Sequence, residues 1–287
     1  LKEIMTKCFD VLAILVLMWA VSGATIKVDL PENSPLKLAN LIVRGADLSG
    51  SNFTGYLLPH KDMSNVNFSA AKFDVAQLFK ANFSDAILSG ASFNSAQIVG
   101  ANFTRSNLIQ ASFQFAQASG AILTKADVRE AVFDYAQLAA ADLRGVKTFE
   151  AGQKNRTRFN NANLAGAKLG GGHFFHANFS DANLSKADLT AARFYMAVLT
   201  GANLSHAIMN NTNLTKAELR GANLTGATMM NVVVDYDPLG KIQTFATLAH
   251  LKARGAIWAE ENPPKITNNV MKKVVTPARR LAAPVRN

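Results

Sequence analysis

The sequence predicts an all-β fold, a chain wound into a four-sided tube, with an apolar helix before it and a capping helix after it. Three observations carry the prediction. A small residue, nearly always Ala, recurs at every fifth position from Ala71 to Ala141. A large apolar residue follows two places after each, as in Ala81-Asn82-Phe83 and Ala136-Gln137-Leu138. Residues twenty apart match in size, so that Phe53, Phe73, Phe93, Phe113 and Phe133 form a ladder. A period of five fits neither the helix repeat of about 3.6 nor the strand repeat of about 2. A chain that turns a corner every five residues points two of each five inward, and four such sides close a coil of twenty. The small inward residue tucks under the corner and the large one fills the middle.

Composition agrees with a regular, packed structure. Charged residues make up 17% of the 287, and the 49% that are hydrophobic are dominated by Ala, Leu and Phe, the residues such a coil needs inside. The single cysteine, Cys8, excludes an intramolecular disulfide, so packing supplies the stability. Net charge is +10, and residues 237–287 hold nine cations against three acids, more than half of the excess.

Residues 1–24 read as a secretory signal or a membrane anchor. Val11 to Val21 is an uninterrupted apolar run, too short to cross a bilayer unaided, since a spanning helix needs about twenty residues. With Lys7 as a charged start and Ser22-Gly23-Ala24 as a small-residue cleavage site, it has a signal's layout. A retained helix from Cys8 to about Ile26 could still reach across a thinned bilayer. Both readings leave the rest of the chain on the exported side: periplasm, lumen or secreted. Residues 25–35 (TIKVDLPENSP) follow as a linker covering the tube's first edge.

The coil itself is assigned to 36–236. Its earliest units are looser but hold phase, for example Ala46-Asp47-Leu48 and Ser51-Asn52-Phe53. One small residue, Ala118, stands where a large one is expected. After Leu143 the phase breaks, and it resumes one residue late at Ala162-Asn163-Leu164. We read 146–158 as a bulged loop with one inserted residue, which would carry the phenylalanine face through Lys154 to Phe174 and Phe194. These units resemble the pentapeptide-repeat family, whose consensus is Ala-(Asp/Asn)-Leu-x-x, over about seventy percent of the chain. The resemblance implies a right-handed quadrilateral β-helix. About thirty-seven units would make nine to ten coils, a rod about 45 Å long at about 4.8 Å per rung.

Such a rod needs covered ends, because open edges invite pairing with other chains. In 237–262, Ile242, Phe245, Leu248 and Leu251 recur at helical spacing between Gly240 and Pro263. This predicts a capping helix over the last coil; the same helix could instead join two copies into a homodimer, as the resemblance allows. The tail, 263–287, carries Lys265, Lys272, Lys273, Arg279, Arg280 and Arg286 and no acid. It reads as a solvated terminus or as an arm for an acidic partner or anionic lipid headgroups. Without interleaved aromatic residues it does not read as a nucleic-acid site.

No catalytic, cofactor or metal constellation appears. His173 and His176 lack a third ligand at fixed spacing, and His206, thirty residues after His176, would face another way. Acids such as Asp47, Asp127, Asp142 and Asp188 fill the polar slot of the repeat and need no catalytic explanation. The expected function is therefore a non-enzymatic structural or protein-interaction scaffold, of the kind that serves as one subunit of a membrane assembly. The resemblance also implies an alternative, because some family members imitate duplex DNA and bind topoisomerases. A mimic needs a strongly negative rod, since protein–DNA affinity is largely phosphate electrostatics. Residues 36–236 hold eighteen cations against thirteen acids, which argues against that alternative unless the acids gather on one side.

Overall fold

The computed structural model of the chain describes residues 42–149 and 156–235 and the backbone of 265–267. Within them the chain turns a corner every five residues, and parallel bridges join residues one coil apart: Asn52 to Lys72, Lys72 to Ser92, Ser92 to Ser112, and onward to Asn213 with Val233. Each side contributes one bridging residue between two turns. Only Val233–Asp235 (β1) and Lys265–Thr267 (β2) are long enough to rank as strands among the described residues.

Three backbone hydrogen bonds per unit hold the stack. Phe73 N–H donates to Ser92 O at 2.6 Å, Lys72 N–H to Ser51 O at 2.9 Å, and Val75 N–H to Asn94 O at 2.9 Å. A fourth closes the corner, as when Ala76 N–H donates to Phe73 O at 3.1 Å. The third residue of each such four-residue turn has positive φ, the type II geometry.

Four inward columns form the core. The first runs Leu48, Phe68, Leu88, Leu108, Val128, Thr148, Phe174, Phe194; the second Phe53, Phe73, Phe93, Phe113, Phe133; the third Leu58, Leu78, Ile98, Ala118, Leu138; the fourth Met63, Phe83, Phe103, Leu123, Leu143. We number the four outer faces accordingly. Phenylalanines stack face to face within a column, 4.8 Å apart from Phe73 to Phe93, and meet edge-on between columns, 5.5 Å from Phe93 to Phe103. The small-residue positions, such as Ala71, Ala91 and Ala111, are 0% exposed, which confirms the predicted division of inward and outward residues.

The interruption differs from its prediction. Val132 bridges Arg158, and Phe133 stacks on Phe159 at 4.8 Å, so this coil holds twenty-six residues rather than twenty-one. Six residues are inserted, not one. The phenylalanine face continues through Phe159 and Phe179, whereas Phe174 and Phe194 belong to the first column. A shift of six and a shift of one leave the same phase in a period of five, so only the stacking decides. The loop is also shorter than 146–158. Val146, Thr148, Thr157 and Phe159 are buried in the tube. Thr157 Oγ1 reaches Val128 O at 2.9 Å and Thr148 O at 3.1 Å, and Thr148 Oγ1 reaches His173 O at 2.9 Å. These two hydroxyls tie the carbonyls at the point where the chain leaves and re-enters the coil.

Lys265 is a second correction. Placed in the tail by sequence, it begins β2, which pairs in parallel with β1 in the register Val233 to Lys265 and Val234 to Ile266. The chain thus returns after 235 to add a rung on the first face, partly covering the open edge. The predicted helix of 237–262, the segments 1–24 and 25–35, and Lys272, Lys273, Arg279, Arg280 and Arg286 lie outside the described residues. Among the described residues no helix is long and apolar enough to cross a membrane.

Candidate interaction surface

Three of every five residues point outward, and twenty-residue stacking sorts them into straight columns on four faces. The first, second and fourth faces each mix both charge signs. Arg105 pairs with Asp85 at 2.6 Å, Arg129 with Asp127 at 2.7 Å, Arg144 with Asp142 at 2.6 Å, and Arg158 with Asp134 at 2.9 Å. The hydrogen bond from the Arg105 guanidinium holds the Asp85 carboxyl below the usual carboxylate range. Acids are therefore spread over three faces, and four of them are paired with an arginine. No face is the acidic strip that imitation of DNA would require.

The third face is different. No carboxylate stands on it among the described residues, and its only full charges are Lys80 and Lys186 near its far edge. Its bridging column reads Gln77, Gln97, Gln117, Gln137, then Asn163, Asn183, Asn203, Asn223. The asparagines form an amide ladder. Asn183 Nδ2 donates to Asn163 Oδ1 at 3.3 Å and Asn203 Nδ2 to Asn183 Oδ1 at 3.4 Å, while each Oδ1 also accepts the N–H two residues on. Such ladders reinforce stacked β structure. Beside the column lie small residues, among them Ser119, Ala139, Ala140 and Ala165, with Pro59, Phe79 and Val99 larger at the early levels.

At the corner between the second and third faces, three large side chains project into solvent. Val75, Phe115 and Tyr135 occupy the positive-φ position of the turn, at φ 57°, 58° and 61°. Gly, Asn and Asp suit that conformation; a β-branched or bulky residue there is strained. Elsewhere in the column stand Gly55, Asn161, Asp181 and Gly201, which comply. The three also stay out of the core, at 56%, 56% and 49% exposed. Phe115 and Tyr135 stack on each other with ring centroids 5.0 Å apart and planes 8° apart. Non-Gly residues fill this turn position along the whole rod, Lys80, Gln110, Lys125 and Met196 among them, so what sets the corner apart is the exposure and stacking of its two rings. Leu57 at 65% and Val99 at 37% exposure extend the apolar character along the third face.

His173 and His176 lie on the first face. Phe149 and His176 are in ring contact at 4.7 Å, and Tyr195 sits 6.4 Å from His176 with Lys216 Nζ 5.4 Å from its ring centroid. Burial, with Arg193 nearby, pushes His173 below the usual imidazole range; burial, with Arg156 nearby, does the same to His176. His206 stacks between Lys186 and Gly226 on the third face, away from His176 as predicted. No group of three His, Cys, Asp or Glu among the described residues could hold a metal ion. A depression of about 380 Å³ is lined by Glu130, Val132, Arg156, Arg158 and Asn178. Its Arg158 is already paired with Asp134.

The composition of the third face escaped the sequence reading, which applied the twenty-residue stack to inward positions only. Applied to outward positions it yields the Gln–Asn column and the Phe115–Tyr135 pair directly.

The sequence matches the family model described as Pentapeptide repeats (8 copies) over residues 46–85, 76–114, 86–124, 111–147, 157–194 and 197–233. The gap between 147 and 157 contains the six-residue insertion. Similar solved structures include HetL, a pentapeptide repeat protein involved in heterocyst differentiation regulation from the cyanobacterium Nostoc sp. strain PCC 7120, at 26% identity over 63% of this chain and 90% of that one, with a TM-score of 0.33. Another is QnrB1, a plasmid-mediated fluoroquinolone resistance protein, at 21% identity over 63% of this chain and 94% of that one, TM-score 0.36. A third is a pentapeptide repeat protein of the Arabidopsis thaliana thylakoid lumen, at 22% identity over 61% of this chain and 77% of that one, TM-score 0.12. No curated protein matches the chain.

Proposed function

Because the chain belongs to the pentapeptide-repeat family, whose four-sided coil it forms, we propose that it is a rigid, non-enzymatic scaffold on the exported side of a membrane that docks protein partners through its third face. The observation that carries the reading is the pair Phe115 and Tyr135, stacked on each other half in solvent beside a face without carboxylates. Rigid aromatic anchors next to uncharged, flat surface are what protein interfaces select. Export rests on the Lys7, Val11–Val21 and Ser22-Gly23-Ala24 layout. The tail cations Lys272, Lys273, Arg279, Arg280 and Arg286 would then meet an acidic partner or anionic headgroups. The DNA-mimic alternative loses support from the interleaved Asp–Arg pairs.

Blue-native electrophoresis of detergent-solubilised native membranes, probed for this chain, tests the reading. Migration in an assembly larger than the chain, lost when Phe115 and Tyr135 are both replaced by Asn, is the expected result. A chain confined to the cytosolic fraction would refute export. A chain migrating alone in every exported fraction would refute the scaffold.

A further inference from the structure

We infer that the first face carries a second docking site, between the levels of Lys147 and Lys216, for an acidic protein segment that sets an apolar side chain among its carboxylates. This site is separate from the third face and does not depend on it. Three features define the partner.

The first is a departure from the repeat. The residue after each large inward one is mostly small or polar, as at Ser69, Ser89, Ala165 and Thr200. On three successive levels of the first face it is Phe149, Phe175 and Tyr195. Among the described residues only Phe79 is another aromatic at that position. The position points outward, so the coil itself needs no ring there. His173 and His176 flank the column, and Met196 stands beside Tyr195 at 37% exposure. The corner column toward the fourth face reads Gly145, Gly171 and Ala191 at these levels, so no bulky side chain walls the rings off.

The second is charge. Lys147, Arg193 and Lys216 stand around the rings, and Arg156 lies near His176. No carboxylate stands on the first face at these levels among the described residues. Glu130 belongs to the level before, and Glu218 to the second face. Cations grouped in this way attract acids on a partner and turn basic surfaces away. Because rings lie between the cations, the matching segment carries an apolar group between its acids.

The third is ring orientation, which separates a protein segment from a nucleic-acid strand. A base stacks on an open ring face. Here ring faces are already engaged: His173 and Phe175 stack with centroids 5.6 Å apart, and Lys216 Nζ sits 5.4 Å from the Tyr195 centroid. Phe175 and His176 both meet Tyr195 edge-on, at 76° and 87°. Rings packed against each other offer edges rather than open faces, and edges suit an aliphatic or aromatic side chain. Aromatic residues, Met and Arg inside a charged rim are the composition of protein-interface cores.

Fluorescence anisotropy of the full chain in mild detergent, with labelled peptides of about eight residues, tests the inference. One peptide sets Phe and Leu among aspartates, one keeps the aspartates with Ser, one keeps the apolar residues with Ser, and one replaces the aspartates with Lys. The first should bind about tenfold tighter than any of the others, or better. Phe175→Ser with Tyr195→Thr should weaken it by about tenfold or more. Ser and Thr are residues the repeat already uses there, so an undiminished circular-dichroism melt serves as the folding control. Arg193→Ser with Lys216→Asn should weaken it too, and should lower its dependence on salt. Phe115→Asn with Tyr135→Asn, on the third face, should leave the peptide affinity unchanged. Equal affinity for the acidic peptide without apolar residues, or binding that survives either first-face pair, would overturn the inference. So would tighter binding of a thymidine oligonucleotide or of phosphatidylserine vesicles than of the first peptide. Failure of all the peptides, with the native assembly still lost when Phe115 and Tyr135 are replaced, would remove this site and leave the third-face reading intact.

Discussion

Single residues in the small-residue columns show what the tube tolerates. Ser106 replaces Ala and keeps its hydroxyl satisfied, with Oγ 2.8 Å from Phe103 O. Ser51 replaces Ala in a neighbouring column, is 2% exposed, and its Oγ has no hydrogen-bond partner. A buried hydroxyl without a partner costs about 1–3 kcal/mol. Ser51→Ala should therefore stabilise the fold by about 1 kcal/mol in denaturant titration, whereas Ser106→Ala should gain nothing. The histidines of the first face make a second residue-scale prediction. Both His173 and His176 titrate below the ordinary imidazole value of about 6.5, so the unfolded chain takes up their protons first as pH falls. Stability is full above about pH 7 and declines as pH drops through about 6.5 toward the lowered folded values. The melting temperature should fall over that range, and replacing both histidines with Asn should flatten the slope. Asp62, Asp85 and Asp142, with lowered values of their own, act only at more acid pH.

The element of this fold is the five-residue side, and its stability depends on two inward positions of fixed size. Ala91 and Ala111 are 0% exposed beneath their corners, with no space for a larger group. Ala91→Leu should lower stability by about 1–3 kcal/mol, the usual cost of overpacking, and thermal melting monitored by circular dichroism measures it. An unchanged melt would mean that the inward and outward assignments are wrong. The reverse defect is already present. Ala118 stands between Ile98 and Leu138 in the third column and remains 1% exposed, so the wall is continuous even where the filling is small. Inward positions were legible in the sequence because a hydrophobic core imposes size at a fixed period. The insertion was legible only as a change of phase. Its length follows from which phenylalanines stack, Phe133 on Phe159, and a period of five cannot count past itself.

As a whole molecule the rod is quasi-one-dimensional, each coil touching only its neighbours. Removing one complete coil should therefore preserve the fold. Deleting residues 91–110 would bring Phe73 beneath Phe113 and Leu78 beneath Ala118, keeping every column intact. The variant should retain its β circular-dichroism spectrum and shorten by about 4.8 Å in small-angle scattering. Deleting only 91–100 keeps the five-residue phase but sets each face half a turn out of register, breaking the phenylalanine stack and both ends of the Gln column. It should melt well below the full-coil deletion. Charge belongs to this scale too. The excess that sequence summed over 36–236 resolves into faces: both signs, partly paired, on three, and two lysines without a carboxylate on the third.

The sequence by itself determined the tube, its four sides and its inward columns, because Ala and Phe at intervals of five and twenty record which positions lose contact with water. It also located the interruption, the departure from the repeat after 235 and the basic composition of the tail. Tertiary structure alone decided what depends on the relation between coils. It set the six-residue insertion and the return of Lys265–Thr267 to pair with β1. It also gathered Gln77 to Asn223 into one uncharged face with Phe115 and Tyr135 at its edge. The physical reason is that burial leaves a strong, periodic mark on composition. An outward residue keeps its access to water whatever it is, and its meaning appears only once its neighbours in the coils above and below are known.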